Sequence, residues 1–327
     1  MAPKRYFLII NSRGDPKKRA GLDDAINMVS QKNPDLRTRI EFKFTEYGGH
    51  AGVIASELAE QYGDRCVIVC CGGDGTVHEV ANSLVYTKTP MLVLPFGTGN
   101  DFAKTVLPNR KLWKTANFLI NLDNFKYEPM DMIKIDSFDI MGNHVNAWSS
   151  YSNNVTSIGL DTKVQARAKS MVLAKDTVFN RKTAYARSAL KCILGDRNNQ
   201  FSYRLELEDG SVYESPSNTH TLISICNAKY YGNGFCPAPR ADVSDGVADV
   251  CCIDSVSLPR ALFLVLLYKL GRHAGHTGIH TFKAVSGVIT SHDASLQLIG
   301  NYDGEDFYGN RIRFEVLPNA LIIGKAK

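Results

Sequence analysis

The regular alternation of apolar runs with amphipathic stretches in residues 1–126 is the feature that most restricts the fold of this 327-residue chain. The runs YFLIIN, RIEFKF, CVIVCC and MLVLP are separated by helical patterns over 20–31, 50–62 and 77–84. Because CVIVCC contains no charged or strongly polar residue, we expect a strand that is buried on both faces. Strands that alternate with helices in this way predict a parallel α/β sheet, in which ligands bind beyond the carboxyl ends of the strands.

A different pattern begins near Tyr127. Short alternating runs such as SYRLELEDGSVYES and HTLISICNA are broken by turn dipeptides, among them Asp209-Gly210 and Asp303-Gly304. Two helical patterns interrupt them, one in a basic segment and one over 258–272. This part of the chain therefore predicts an antiparallel β-sandwich with helical insertions.

The two patterns predict two domains. We expect an α/β domain over 1–126 and a sandwich domain over 127–304, and we expect the segment from about 305 to 327 to pack back onto the first domain. The hydrophobic content of 44% is that of a globular protein with a core in each domain.

Several features favour a cytoplasmic protein. The longest strongly apolar run, ALFLVLLY over 261–268, is far shorter than the roughly 20 residues of a membrane-spanning helix. The N-terminal MAPKRYFLIIN contains no small-residue cleavage site and fits a first strand better than a signal peptide. The eight cysteines match no zinc-binding spacing and lie mostly in apolar runs, so we expect buried, reduced thiols.

The charge distribution allows several kinds of partner. A net charge of +5 suits anionic nucleotides, anionic lipid surfaces or nucleic acid. Eight Lys or Arg residues lie between Lys163 and Lys191, against a single acidic residue, Asp176. We favour a solvated helical face for this segment, and the alternative is a patch that lies against a membrane.

The loop CGGDGT over 71–76 directly follows the apolar run CVIVCC. Because Gly72, Gly73 and Gly75 have no Cβ, their amides can approach a phosphate closely, and the following helix adds its N-terminus. A tight strand-to-helix turn is the alternative for a loop of this type. The negative charge of Asp74 inside such a loop requires an explanation of its own.

A second loop of the same kind, in the sequence PFGTGNDFA, follows the run MLVLP. It contains Gly97, Thr98 and Gly99, with Asn100 and Asp101 at the entry to a helix. Taken alone, Asp101 would be a helix N-cap. Two adjacent loops of this form indicate one shared polyphosphate site.

The two aspartates of these loops indicate a divalent cation. Two like charges about 4 Å apart repel by roughly 4 kcal/mol at an effective dielectric constant near 20, so Asp74 would oppose a polyphosphate unless a cation lay between them. Mg²⁺ binds through one or two carboxylates together with substrate phosphates. Asp74 and Asp101 are therefore the predicted Mg²⁺ ligands, either directly or through water.

These motifs resemble the diacylglycerol kinase catalytic domain family, which includes sphingosine kinases, ceramide kinases and bacterial soluble lipid kinases. The similar segments are GGDGTVHEVANSL, PFGTGNDFAK, FTEYGGHA, NAKYYGNGFCPAPRADVSDGVADV and YDGE. The resemblance implies an N-terminal domain of phosphofructokinase and NAD kinase-like topology, a C-terminal β-sandwich that holds the lipid acceptor, and ATP between the two domains.

The resemblance also implies functional residues. Asp303 and Glu305 match the carboxylates assigned to proton abstraction from the lipid hydroxyl, and Asp74 is placed with them in the catalytic centre. Asp245 matches a side-chain ligand of a structural Mg²⁺, with the backbone carbonyls of Asp242 and Val247 beside it. The positions that match nucleotide contacts are Asn11, Thr45, Gly72, Gly73, Asp74, Gly75, Thr76, Glu79, Gly97, Thr98 and Asn100.

Elementary chemistry supports the role of YDGE, because a carboxylate within hydrogen-bond reach of an alcohol can accept its proton during phosphoryl transfer. A simple hairpin turn is the alternative for this motif alone. Two segments depart from the family pattern. Ser12, Arg13 and Gly14 lack the usual proline nearby, and His78 replaces the Asn common in bacterial members, as it does in sphingosine kinases. We expect His78 to be a polar residue on a helix surface.

We therefore predict an ATP- and Mg²⁺-dependent lipid kinase, with diacylglycerol as the favoured acceptor and phosphatidate as the product. The expected partners are ATP and a lipid presented at a membrane surface, which implies peripheral membrane association. We expect no nucleic acid partner, and homodimer formation is left open. The alternatives are a kinase of a sphingoid base or of phosphatidylglycerol, an NAD kinase, and a catalytically inactive lipid-binding or regulatory module.

Overall fold

A computed structural model describes residues 4–12, 16–138, 148–174, 178–195, 197–293 and 297–326. The predicted α/β domain is present in its N-terminal part. Its strands are β1 Arg5–Ile10, β2 Ile40–Phe44, β3 Cys66–Gly72 and β4 Met91–Pro95. Its helices are α1 Pro16–Lys32, α2 Pro34–Thr38, α3 His50–Tyr62, α4 Asp74–Leu84, α5 Asp101–Val106 and α6 Thr115–Ile120.

The four strands form a parallel sheet in the order β2-β1-β3-β4, with helices on both faces. The alternation along β3 explains its uninterrupted apolar sequence. Ile68 and Cys70 belong to the hydrophobic core on one face of the sheet, whereas Val67, Val69 and Cys71 belong to the core on the other. A strand covered on both faces needs apolar residues at odd and even positions alike.

The C-terminal part is the predicted β-sandwich, and nine of its described strands contribute buried residues to its core. Three helices belong to it, which are α7 Leu160–Ala174, α8 Val178–Gly195 and α9 Leu258–Lys269. Its strands are β5 Phe125–Phe138, β6 Trp148–Ser152, β7 Val155–Gly159, β8 Asn199–Leu207, β9 Val212–Glu214, β10 Thr219–Cys226, β11 Ala248–Asp254, β12 Ile279–Ser291, β13 Leu298–Tyr302, β14 Glu305–Gly309 and β15 Arg311–Ala326.

A long antiparallel ribbon of β5 and β15 connects the sandwich with the parallel sheet. The pairing runs from Arg311 opposite Phe138 to Ala326 opposite Phe125. Near its end, β15 also pairs in parallel with β4, where Ile323 lies opposite Met91. The last strand of the chain thus extends the sheet of the first domain, while the domain limits at 126 and 304 stay predictions.

The cysteines are buried free thiols, as expected. All eight lie in the described residues and none forms a disulfide. Burial raises the pKa of Cys66 to about 11, so this thiol is protonated at neutral pH. None of the helices within the described residues is both long and apolar enough to cross a bilayer.

Candidate active site

The two predicted glycine loops meet at the carboxyl ends of β3 and β4. These strands pair in parallel, so that Gly72 lies opposite Pro95 and the loops that follow are neighbours. A Cβ on Gly97 would lie 2.5 Å from the Cα of Gly73, and a Cβ on Gly72 would lie 2.4 Å from the Cβ of Thr76. Glycine is therefore required at these positions by close approach of neighbouring atoms.

We expect Gly97→Ala to lower the free energy of unfolding by about 1–3 kcal/mol, the usual cost of overpacking. The backbone of Gly73 must shift to admit the new methyl group, and the loops then separate. Gly75→Ala is the matched control for stability, because a Cβ there meets nothing within 4 Å. Urea denaturation of both variants measures the difference. Equal stabilities would contradict the proposed close contact between the loops.

Asp74 is the first residue of α4, three residues before the predicted start of this helix. Gly73 is the N-cap in extended conformation, which allows the helix to begin immediately after the strand. The Oδ1 atom of Asp74 accepts a hydrogen bond from the Phe102 amide at 3.1 Å, and Oδ2 faces Gly99. Asp74 thus connects the two loops.

The electrostatic surroundings of Asp74 disfavour its negative charge. Burial raises the pKa of Asp74, and the charges of Asp101 and Asp303 raise it further, against a lowering by the Phe102 amide. A cation close to Asp74 would stabilise its ionised form. This arrangement fits a divalent cation at Asp74.

Asp101 is less available to a cation than we expected. Its Oδ1 atom forms an ion pair with Lys104, and its Oδ2 atom accepts the amide hydrogen of Asn233 at 2.7 Å. The preceding Asn100 has a positive φ of 50° and holds the loop by accepting from the Gly97 amide at 2.9 Å. Asp101 therefore joins the α/β domain to the sandwich, and its role as an Mg²⁺ ligand stays a prediction.

Four of the predicted nucleotide residues line one cavity of about 150 Å³. They are Asn11, Thr45, Thr76 and Glu79. The side-chain amide of Asn11 donates to the hydroxyl of Thr76 at 2.9 Å, and this contact connects the end of β1 to the first glycine loop. Glu79 accepts from the amides of Gly49 and Ala51 at 2.9 and 3.2 Å, so this side chain caps α3.

The YDGE motif forms a two-residue hairpin turn between β13 and β14, with Tyr302 opposite Glu305. Asp303 and Gly304 have φ values of 52° and 105°, as a type I′ turn requires. The hairpin that we considered as an alternative to a catalytic motif is therefore present, and it lies at the candidate active site. Lys169 on α7 supports the turn by donating to the Gly304 carbonyl at 3.1 Å.

The carboxylate of Asp303 is buried and accepts five hydrogen bonds. They come from the hydroxyl of Ser152 at 2.9 Å, the amides of Asn153, Asn154 and Val155 at 2.8, 3.0 and 3.1 Å, and Nδ1 of His78 at 3.0 Å. These donors occupy the lone pairs of both carboxylate oxygens. Asp303 is thus well suited to hold the His78 ring.

The expectation of an exposed His78 was wrong. This residue is only 9% exposed, because the hairpin of the sandwich covers α4 at this point. It lies one turn after Asp74, and the spacing of four residues places both on one helix face. That spacing is the signal in the sequence that could have identified His78 as a site residue.

Nε2 is the ring nitrogen of His78 that Asp303 does not contact. Nδ1 donates to Asp303, and the Asn82 amide, 3.5 Å from Nε2, donates instead to the carbonyls of His78 and Tyr151 at 3.0 and 2.8 Å. Burial lowers the pKa of His78, but the hydrogen bond and charge of Asp303 outweigh this effect and keep the pKa above its usual 6.5. The exposed Glu305 also raises it.

The predicted structural metal residues form a separate group. Asp245 forms an ion pair with Lys283 at 2.5 Å, and Asp242 accepts from the Ser244 amide at 3.1 Å. The buried Asp131 accepts from the amides of Gly246 and Asn319 at 2.7 and 2.9 Å. Lys283 already neutralises the charge of Asp245. A structural cation bound by Asp245 and by the carbonyls of Asp242 and Val247 therefore stays a prediction.

Comparison with known families gives two adjacent matches. Residues 5–135 match the model of the diacylglycerol kinase catalytic domain, and residues 154–324 match that of the YegS C-terminal NAD kinase beta sandwich-like domain. Together they cover both parts of the fold.

Individual proteins agree with these matches. A protein from Shewanella frigidimarina (strain NCIMB 400), named "Probable lipid kinase YegS-like", is 27% identical over 259 residues, which are 78% of this chain and 74% of that protein. A crystal structure of a diacylglycerol kinase from Bacillus anthracis str. Sterne has a TM-score of 0.65 at 17% identity, covering 99% of this chain and 97% of that one. A second structure from the same organism has a TM-score of 0.69 at 20% identity. The structural likeness establishes the fold.

Proposed function

Because the chain belongs to the diacylglycerol kinase catalytic domain family of lipid kinases, we propose that it transfers the γ-phosphoryl group of ATP to a lipid hydroxyl. Diacylglycerol is the favoured acceptor and phosphatidate the product. The observation that carries the proposal is the meeting of two glycine loops with Asp74 and the His78–Asp303 pair. One part suits a phosphate chain and the other can accept a proton.

The α/β domain contributes the nucleotide site. The loop amides and the N-terminus of α4 would stabilise the phosphates, and Asn11 and Thr76 would line the nucleotide cavity. Asp74 would hold Mg²⁺, which when bound neutralises charge on the transferring phosphoryl group. Asp101 would position the second loop through its contacts with Lys104 and Asn233.

The sandwich domain contributes the proton acceptor through its hairpin. We assign Nε2 of His78 to accept the hydroxyl proton of the lipid, while Asp303 orients the ring and stabilises the imidazolium that forms. The exposed Glu305 would contact the acceptor. We assign the proton to His78 and not to Asp303 because the carboxylate of Asp303 already accepts five hydrogen bonds.

The decisive experiment is a phosphoryl-transfer assay with labelled ATP and a panel of acceptors in mixed micelles. The panel contains diacylglycerol, a sphingoid base, phosphatidylglycerol and NAD, and mass spectrometry identifies each product. We expect labelled phosphatidate that requires Mg²⁺. Labelled NADP would favour an NAD kinase, and the absence of any labelled product would favour a binding or regulatory module.

We further propose that the protein associates peripherally with membranes through an α8/α9 apolar face. Its residues are Leu190, Leu194, Leu262, Phe263, Leu266 and Leu270, each between 47% and 57% exposed. The packing of Ile193 against Ala261 holds the two helices together. Neither helix contains Asp or Glu, whereas Arg187, Lys191 and Lys269 are exposed cations on them. Apolar side chains flanked by cations suit an anionic lipid surface.

We expect the double variant Leu262→Glu and Leu266→Glu to bind vesicles that contain anionic lipid about tenfold less tightly or worse, because each leucine contributes up to about 1.5–3 kcal/mol on full burial. Vesicle sedimentation measures the change. Val212→Glu is the control, since Val212 is 49% exposed on β9. Activity on a short-chain, water-soluble acceptor should be retained. Unchanged vesicle binding would contradict the proposed face.

A further inference from the structure

A cluster of metal-binding side chains lies on the sandwich, away from the residues of the candidate active site. It consists of His220 on β10 with Cys252 and Asp254 on β11, and their ligand atoms all lie within 4.8 Å of one another. His220 and Cys252 are fully buried, and Asp254 is partly exposed. The proposed phosphoryl transfer makes no use of these residues.

A β-bulge brings these residues together. β10 and β11 pair with Ile223 opposite Cys252 and Leu222 opposite Ile253, but the register shifts beyond Leu222 so that His220 lies opposite Asp254. Residues two apart on a strand share a face, so Cys252 and Asp254 point the same way. The bulge turns His220 towards that face, a common use of bulges at functional sites.

The distances in the cluster fit tetrahedral zinc. Nδ1 of His220 lies 3.3 Å from Oδ1 of Asp254 and 3.7 Å from the sulfur of Cys252. Zinc bonds of about 2.0–2.3 Å to N, O and S place neighbouring ligand atoms of a tetrahedron roughly 3.3–3.7 Å apart. The two separations measured from Nδ1 of His220 are therefore those of neighbouring ligands of one zinc ion.

The hydrogen bond on the other side of the His220 ring is the kind that zinc ligands usually form. Nε2 lies 2.9 Å from the carbonyl of Ser217, so it must carry the proton. In the neutral ring this leaves the lone pair of Nδ1 directed at Asp254 and Cys252. A histidine that donates one N–H to a backbone carbonyl is fixed in the tautomer that binds metal.

An unsatisfied hydroxyl provides independent support for a ligand at this place. Tyr203 on β8 is only 2% exposed, and among the described residues its hydroxyl has no hydrogen-bond partner beyond a weak interaction with the thiol of Cys252. This hydroxyl lies beside Cys252 and its ring contacts His220, with ring centres 5.2 Å apart. Buried hydroxyls are rarely left without a partner, and metal-bound thiolate or water would supply one.

Asp254 is held in place from the opposite direction. His280 on β12 lies opposite Cys252, and its Nε2 atom is 2.8 Å from Oδ2 of Asp254. This contact leaves Oδ1 directed towards His220. A carboxylate ligand that is itself hydrogen-bonded is the usual arrangement around protein zinc sites.

We propose that His220, Cys252 and Asp254 bind one Zn²⁺ ion, with water in the fourth position. The ion would connect β10 to β11 at the bulge, where the regular ladder is interrupted. The competing explanation is a charged His220 that donates to Asp254 in the absence of metal. The two explanations differ in metal stoichiometry and in the ionisation of Cys252.

The test uses the full-length protein, stripped with a chelator and titrated with ZnCl₂ or CoCl₂ in the absence of nucleotide and lipid. We expect one equivalent of either metal to bind, and the cobalt complex to show thiolate-to-cobalt charge-transfer absorption. At a zinc concentration about 100 times Kd, the midpoint of thermal unfolding should rise by about 5 °C. Failure of the wild-type protein to bind one equivalent would overturn the proposal.

Variants identify the ligands. Cys252→Ser should abolish the cobalt absorption and the zinc-induced rise in the unfolding midpoint, and Asp254→Asn should weaken zinc binding about tenfold or more. Asp254 is partly exposed, so this second variant keeps the test open if Cys252→Ser does not fold. Cys251→Ser is the matched control, because Cys251 belongs to a core cluster on the other face of β11. Charge-transfer absorption that survives in Cys252→Ser would refute the assignment.

Discussion

The variant His78→Asn is expected to phosphorylate lipid with a kcat about 10²–10⁴-fold lower than that of the wild type. A general base usually contributes a factor of this size. Nε2 of His78 is the assigned proton acceptor, and Asn cannot replace its basicity. Asp303→Asn should give a loss of similar size, because the ring then lacks the carboxylate that orients it. Initial rates at saturating ATP and lipid measure both effects.

The pH profile separates this role from a structural one. The base must be neutral to accept a proton, and the pKa of His78 lies above its usual 6.5 because Asp303 stabilises the charged form. The wild-type rate should therefore rise with pH through an apparent pKa above 6.5 and then level off. In His78→Asn this limb should disappear.

The double variant His78→Asn with Asp303→Asn supplies the second check. Two residues that act as one unit give grossly non-additive losses, so the double variant should be about as slow as either single one. If His78→Asn retains nearly full activity, the proton acceptor is Asp303 or Glu305 and our assignment fails. Glu305→Gln then decides between those two carboxylates.

Replacing Asp74 by Asn should lower kcat/KM for Mg·ATP by about 10²–10³, the usual cost of removing one electrostatic stabiliser of the transition state. The substitution keeps the size of the side chain and the hydrogen bond from the Phe102 amide, and removes the charge. The Mg²⁺ concentration for half-maximal rate should rise as well. Rates measured over a series of Mg²⁺ concentrations test both expectations.

The same variant should not be less stable than the wild type without ligands. Burial and the charges of Asp101 and Asp303 raise the pKa of Asp74, so its ionised form costs stability at neutral pH. Asp101→Asn is the contrasting variant, because it breaks the ion pair with Lys104 and should destabilise. A stability loss in Asp74→Asn as large as in Asp101→Asn would show that Asp74 is structural.

The parallel sheet was predictable because short, continuous segments of the sequence specify its strands and loops. The run CVIVCC and the glycines after it specify a strand buried on both faces and a loop that enters a helix, and the structure confirms both. The start of α4 was placed three residues too late, since glycine has a low helix propensity. Packing of Gly73 against Gly97 overrides that propensity.

The role of His78 was not predictable from its neighbourhood in the chain. Its partner Asp303 lies 225 residues further along, and the pair exists only because β13 and β14 fold against α4. Likewise, the spacing of the cysteines predicts no conventional zinc motif, and it could not reveal that a bulge turns His220 towards Cys252. Contacts between distant strands decide such details.

The ribbon of β5 and β15 has a consequence for the order of assembly during translation. Residues 311–326 leave the ribosome after the other strands of the β-sandwich, yet they extend the sheet beside β4, which was made much earlier. Until then the edge of β4 lacks its native neighbour, and an open strand edge can pair with other chains. Maturation of the N-terminal sheet must therefore wait until residues 311–326 have been synthesised.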